Sequence, residues 1–261
     1  MIAIFHLIKA DFMKMKRTPF YLIHFCIPSI GVIIFLAYFS TSKSNGVVKL
    51  NLYLQALLMA FPVLIGIVCS AAVQQEAMAG KFKEMIGTKY GRGKCLLSKI
   101  LILLFSGFVS LTLAVGAFYI GFQYLLKQNT LQFSFYVYVT LIIFWCQIFI
   151  YLFHLWLGIN FGSGASIGMG IFESLISALF ITGLGDRIWQ WIPCGWGIKI
   201  CNSLFIREPN SIDAFNKVAD MNVGISNSMS GIRNSVIFTI LFGVFLLIWF
   251  NFYESDGENN R

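Results

Sequence analysis

Six long apolar runs leave this chain little choice of fold. Phe20–Phe39, Leu52–Val73, Ile100–Leu125, Ser134–Leu157, Ala165–Leu184 and Ser235–Phe252 each approach the roughly 20 residues that carry a helix across hydrocarbon. Lipid offers no hydrogen bonds to a bare backbone, so a crossing segment closes its own as a helix. Hydrophobic residues make up 58% of the chain and charged residues 11%, against about 25% charged in a soluble domain, which excludes an ordinary cytosolic globule. The same apolar excess excludes a disordered chain. Residues 1–261 therefore read as one all-α membrane bundle of six spans with short connections.

Residues 1–17, MIAIFHLIKADFMKMKR, place Ile4, Phe5, Ile8, Phe12 and Met15 within an arc of about 100° on a helix, with Lys9, Lys14, Lys16 and Arg17 outside it. Such a segment, running to residue 19, is expected to lie in the membrane interface with its bases towards anionic headgroups. Thr18-Pro19 ends it, and Pro28 and Pro62 predict kinks inside spans one and two. Span one is long and ends Ala37-Tyr38-Phe39, which is no signal cleavage site.

The net charge of +8 falls beside the apolar runs. It reads as the bias that orients helices in a bilayer, not as a nucleic-acid surface, since no basic-aromatic module stands apart from the spans. Lys9, Lys14, Lys16 and Arg17 share a side with Lys81, Lys83, Lys89, Arg92, Lys94 and Lys99, while the opposite loops hold only Lys43, Lys49 and Lys127. Both termini are therefore expected in the cytoplasm and the long segment 185–234 outside. Trp189, Trp191 and Trp196 in GLGDRIWQWIPCGWGIKICNSLFI predict a fold back along or into the outer interface, either as a plain aromatic belt or as a ligand surface; residues 207–232 read as an exposed loop. Cys194 and Cys201 share this segment, and free thiols are expected. No Cys or His lies at zinc spacing, so no metal is expected.

No HExxH, GxSxG or paired intramembrane aspartate appears, and His6, His24 and His154 lie far apart. The stretch GTKYGRGK resembles a phosphate loop only superficially: the residue five before Gly93 is Thr88, and Cys95 follows Lys94. The chain is expected to be no enzyme, to bind no cofactor itself, and to draw energy from a gradient or another subunit. The stretch QQEAMAGKFKEMIGTKYGRGKCLLSK, residues 74–99, contains the loop 75–95, with Glu76 at the end of span two. A short helix over Glu76–Ile86 would leave Phe82 and Met85 exposed for a partner groove. A simple positive-inside loop accounts for the lysines alone.

This order of elements resembles an ABC-2 type transporter permease. In that family a Glu-led cytoplasmic loop after span two is the coupling helix that docks on the ATPase, which here assigns Glu76, Phe82, Met85 and Ile86 to coupling. The start KADFMKMKRTPFYLIHFCIPSIGVIIFLAYF, residues 9–39, is similar to the lantibiotic-immunity permeases of the MutG/NisG type, subunits of LanFEG exporters; WIPCGWGI at 191–198 fits the same group. The resemblance implies a second related permease, two copies of an ATPase carrying ATP and Mg, a lantibiotic peptide as substrate, and the bacterial cell membrane with its lipids as setting.

Glu173 lies in the middle of span five, where an ionisable group is costly and therefore expected to face the bundle or a permease partner. A contact to a cationic peptide and a structural hydrogen bond both fit it. With Trp189, Trp191 and Trp196 it makes up the candidate substrate path. Gly158, Gly162, Gly164 and Gly168 form two small-xxx-small steps, suited to a permease seam or to packing within the chain. An ABC-2 permease for another antibiotic, a lipid or a glycan, a membrane enzyme, and a non-transporting scaffold remain as alternatives.

Overall fold

The computed structural model describes residues 2–16, 18, 20–80, 82–87, 89–182, 184–207 and 221–253, with the side chains of 2, 3, 84, 206, 207 and 221–227 left aside. Their regular structure is helical, with no strand among them. In chain order they form α1 (Ile2–Met15), α2 (Phe20–Thr41), α3 (Gly46–Met78), the short α4 (Lys83–Ile86), α5 (Arg92–Ile120), α6 (Phe133–Phe161), α7 (Ser163–Ile181), α8 (Pro193–Arg207) and α9 (Met221–Asn251). Six of them, α2, α3, α5, α6, α7 and α9, are long and apolar enough to cross a membrane. Pro28 and Pro62 sit inside unbroken helices. Pro19 and residues 254–261 lie outside the described residues.

The connection between α2 and α3 is shorter than expected, because α3 begins at Gly46 under an Asn45 cap whose side chain accepts from the Val47 N–H at 3.1 Å. Lys49, expected in a loop, is therefore a buried helix residue. Its ammonium donates to Phe39 O at 2.9 Å, Ser42 O at 2.7 Å and Gln128 Oε1 at 2.6 Å. Placed at the C-terminal end of α2, it meets carbonyls with no helical partner of their own.

The packing of α7 on α3 needs small residues. A Cβ on Gly170 would lie 2.6 Å from Pro62 O, and one on Gly66 would lie 2.8 Å from Ser166 O. At this approach Ser166 Oγ donates to Gly66 O at 3.1 Å and Ser174 Oγ to Met59 O at 2.6 Å. Two hydroxyls of one helix thus reach backbone carbonyls of the other on either side of Pro62. The two small-xxx-small steps, suited either to a permease seam or to packing within the chain, divide. Gly158 packs within the chain against Val73, while Gly164 and Gly168 meet nothing within 4 Å. Gly162, at φ +85, turns the corner between α6 and α7.

The segment expected as a long outer loop is mostly structure. At 1.5 Å per residue, the 19 residues of α7 rise about 28 Å and the 29 of α6 about 43 Å. Starting together at Gly162, they leave α7 about 15 Å short, and α8 occupies the gap between α3, α6, α7 and α9. Ser177 Oγ, near the end of α7, donates to Cys194 O at 3.1 Å. From there α8 climbs along α6: Trp196 meets Phe149 at 5.7 Å and Phe205 meets Phe135 at 5.1 Å. Trp196, Ile198, Cys201 and Phe205 are fully buried. The helix therefore enters the bundle instead of lying on it. Of the expected exposed loop 207–232, residues 208–220 lie outside the described residues, and α9 already begins at Met221. Cys194 and Cys201 are free, and burial pushes the Cys194 thiol up to about 12.

This packing separates two kinds of glycine. Gly170→Leu should push α7 off α3 and lower stability by about 1–3 kcal/mol or more, as overpacking does. Gly164→Ala and Gly168→Ala should leave stability unchanged within about 0.5 kcal/mol. Thermal melting of the purified variants checks both.

Candidate functional site

The connection between α3 and α5 was expected to be a Glu-led helix projecting Phe82 and Met85. The structure corrects each part. Glu76 belongs to the last turn of α3 and is buried, and the separate helix α4 spans only Lys83–Ile86. Phe82 and Met85 are buried as well, and Ile86 is half-buried. A four-residue helix has no core of its own, so its apolar side chains turn to the nearest one, at the end of α9. Phe82 meets Tyr253 edge-on at 6.1 Å. It does so from a left-handed backbone, φ 65, which costs about 1–2 kcal/mol for a residue with a Cβ. Arg92 fixes the same corner by donating to Asn251 O and Tyr253 O, both at 3.1 Å. What the loop leaves exposed is Met78, at 76% of its full surface, with Lys83 and Lys89.

Glu76 is held by ions. Lys99 Nζ on α5 lies 2.8 Å from Glu76 Oε1 and 2.8 Å from Asp11 Oδ1 on α1. The other Asp11 oxygen accepts from Ser98 Oγ at 2.7 Å, and Lys14 Nζ approaches Glu76 at 3.4 Å. Two carboxylates thus share a buried ammonium, and α1, α3 and α5 meet on it. Sequence reasoning did not single out Asp11. Its signal was there: it is the lone acid in a basic segment, on the helix face opposite Lys9 and Lys16. The face that α1 turns outwards carries Phe5, Phe12 and Met13 together with Lys9 and Lys16.

A second polar cluster lies inside the bundle. Glu173 on α7 is buried, and its Oε2 lies 3.0 Å from His154 Nε2 on α6. The other ring nitrogen, Nδ1, lies 3.1 Å from Ser166 Oγ. The three histidines had read only as lying far apart from one another. The link missed was that His154 and Glu173 are the ionisable groups of consecutive spans, and α6 and α7 fold back on each other at Gly162. Serine, histidine and glutamate together suggest a hydrolytic triad, but Ser166 is fully buried and its hydroxyl proton goes to Gly66 O. Among the described residues no three His, Cys, Asp or Glu side chains gather to hold a metal.

The three tryptophans expected to make up the substrate path with Glu173 differ in exposure. Trp189 is buried over Gly231, where a Cβ would lie 2.2 Å from its ring. Trp196 is buried and donates to Gln190 O at 3.0 Å. Trp191 alone is open, 62% exposed, with Phe238 of α9 edge-on at 6.3 Å. Phe238 also meets Trp196 at 6.1 Å, so these two indoles share one ring of α9.

Removing the shared cation should matter more than removing the peripheral one. Lys99→Met strands Asp11 and Glu76 and should cost about 3–5 kcal/mol, the penalty for breaking a buried pair. Lys14→Met, a third exposed, should cost about 1 kcal/mol or less. Melting temperatures of the two variants in one detergent give the comparison.

No curated protein and no solved structure matches the chain. A family model does, that of the ABC-2 family transporter protein, over residues 7–180. The match runs from α1 almost to the end of α7 and so takes in the ion cluster, the α4 loop and the His154–Glu173 pair. Covering two thirds of the 261 residues, it shows that this membrane-spanning chain belongs to the ABC-2 family of transporter proteins.

Proposed function

We propose that the chain is the permease subunit of an ATP-binding cassette exporter that expels lantibiotic peptide from the bacterial cell membrane and so protects the cell. Its ABC-2 family membership carries the transport part of this reading. The stretch that resembles a phosphate loop, residues 87–94, runs into the start of α5, with no strand before it among the described residues. The energy is therefore proposed to come from ATP and Mg on two copies of a separate ATPase. The likeness of residues 9–39 and 191–198 to lantibiotic-immunity permeases supports the substrate. A second related permease is supported by α2 and α7, which bury little of their surface within the chain.

In this reading the α1 end of the bundle is cytoplasmic, as the lysines of α1 and the α4 loop favour. The loop meets the ATPase through its exposed Met78, Lys83 and Lys89, while Glu76, Phe82, Met85 and Ile86 hold the loop in shape from within. At the opposite end Trp191 stands where a peptide in the outer leaflet first arrives, and its face attracts cationic side chains by about 0.5–2 kcal/mol. Glu173 serves this path through α7, one turn from the Ser177–Cys194 contact that seats α8.

Three outcomes follow. Expressed with its ATPase and partner permease, the chain should lower cell-associated lantibiotic and raise the inhibitory concentration against an ATPase-dead control, and Trp191→Ala should weaken that protection without loss of assembly; equal peptide in both cells defeats the export reading. Met78→Glu with Lys83→Glu should reduce co-purification of the ATPase at unchanged melting temperature, whereas Phe82→Ser should lower the melting temperature itself by the equivalent of about 3 kcal/mol. A cysteine at Thr130 should react with an impermeant maleimide on intact cells and one at Lys83 should not; the reverse pattern inverts the orientation.

A further inference from the structure

The turn between α7 and α8 sits deep in the span. Gln147 is the midpoint of α6, and a Cβ on Gly197, near the start of α8, would lie 3.6 Å from its Nε2. The Phe180 ring of α7 lies against both Gly185 and Gly195, whose Cβ atoms would come 2.5 and 2.8 Å from it, so the turn shares the level at which α8 starts. Exposed polar residues mark the two ends of α6, Ser134 and Asn160, and the exposed residues between them, Val137, Tyr138, Leu141 and Trp145, are apolar or aromatic. The roughly 30 Å of hydrocarbon is thus centred near Gln147, about 21 Å from either end of the helix. With α7 ending about 15 Å short of α6, the turn lies roughly 10 Å inside the hydrocarbon of the leaflet away from α1.

Charge is out of place at that depth, yet the turn carries it. Asp186 keeps 64% of its side-chain surface exposed and pairs with Lys199 of α8, and Arg187 beside it is exposed. A charge facing bare acyl chains is expensive. Two polar groups at the same level are also incomplete: Gln147 Oε1 and Thr239 Oγ1 are buried with no hydrogen bond from any described residue. Thr239 follows Phe238, whose ring meets Trp196. Such groups take ordered water. A helix too short for the hydrocarbon is accommodated by local thinning of the bilayer, which brings water and headgroups down to it.

We propose that this turn forms a hydrated notch in the bilayer and that the notch holds the headgroup of a zwitterionic phospholipid. Its charges match that headgroup. Arg187, alongside Lys199, meets the phosphate, and the exposed side of Asp186 meets the head ammonium. Two bases and one acid suit a headgroup carrying both signs. Leu184 and Ile188, both exposed, flank the charges and suit the first methylenes of the acyl chains. The turn is tied tightly enough to present this set: the N–H groups of Ile188 and Trp189 both return to Gly185 O, at 2.9 and 3.0 Å. Gly185 itself takes φ +88, which a residue with a Cβ rarely adopts.

The test uses the full chain alone in phosphatidylcholine nanodiscs, without ATPase, partner permease or peptide, so its outcome does not depend on the export reading. A nitroxide is attached at Ile188→Cys and, for comparison, at Leu179→Cys, an exposed position on the last turn of α7. Both carry Cys26→Ser, because Cys26 is the exposed native thiol. A water-soluble nickel chelate should relax the label at 188 several-fold more than the label at 179, where oxygen should dominate. Oxygen-dominated relaxation at both sites overturns the notch. Phospholipid retained through detergent purification is then counted by native mass spectrometry. The wild type should keep a bound phosphatidylcholine that Asp186→Asn with Arg187→Gln loses, while the nickel contrast between 188 and 179 persists in that double variant and shows the turn still folded. No retained lipid in the wild type, or equal retention in both proteins, overturns the headgroup assignment even where the notch is wet.

Discussion

The close approach of α7 to α3 is the contact on which the rest of the bundle depends. Glycine at 66 and 170 lets two backbones come nearer than any Cβ would permit, and Ser166 and Ser174 then spend their hydroxyls on carbonyls of the facing helix. Within lipid no hydrophobic drive holds helices together, so close packing and such hydrogen bonds must do it. The contact also fixes the rotation of α7 about its axis. Once residues 166, 170 and 174 face α3, residue 173 is directed to the neighbouring side, where His154 stands. The placement of Glu173 follows from a packing requirement one helix turn away.

The limited rise of α7 has its own consequence. A helix that stops short leaves backbone and apolar side chains uncovered within the bundle, and α8 fills that space with Trp196, Cys201 and Phe205. The aromatic residues of this stretch are thus divided by depth. Two indoles are used to seat α8 and α9, and only Trp191 stays open to the surroundings. The α1 end follows the same economy with charge in place of aromatic surface: Lys99 draws Asp11 and Glu76 onto one ammonium, and Arg92 and the ring of Phe82 close the loop against the end of α9.

Some of this was written in the residue order. Six spans and an amphipathic first helix follow from run length and helical spacing, because the bilayer imposes a length and a polarity on every segment regardless of its neighbours; the ABC-2 architecture was read from a family resemblance. That Glu173 must face protein was legible for the same reason: an acid in mid-span has few tolerable surroundings. The lysine at 49 was misplaced because loop and helix differ there only by the Asn45 cap. Phe82 and Met85 were read as exposed because spacing along a short loop says nothing of which core lies nearest.

Tertiary structure alone decided the pairings. Asp11 with Lys99, His154 with Glu173 and Cys194 with Ser177 join residues on different elements, and no periodicity within one segment encodes a partner on another. The sequence by itself determined that these polar groups had to be satisfied inside the molecule, since neither lipid nor a buried interface tolerates them bare. That His154 satisfies Glu173 depended on where Gly66 and Gly170 allowed α7 to rest against α3.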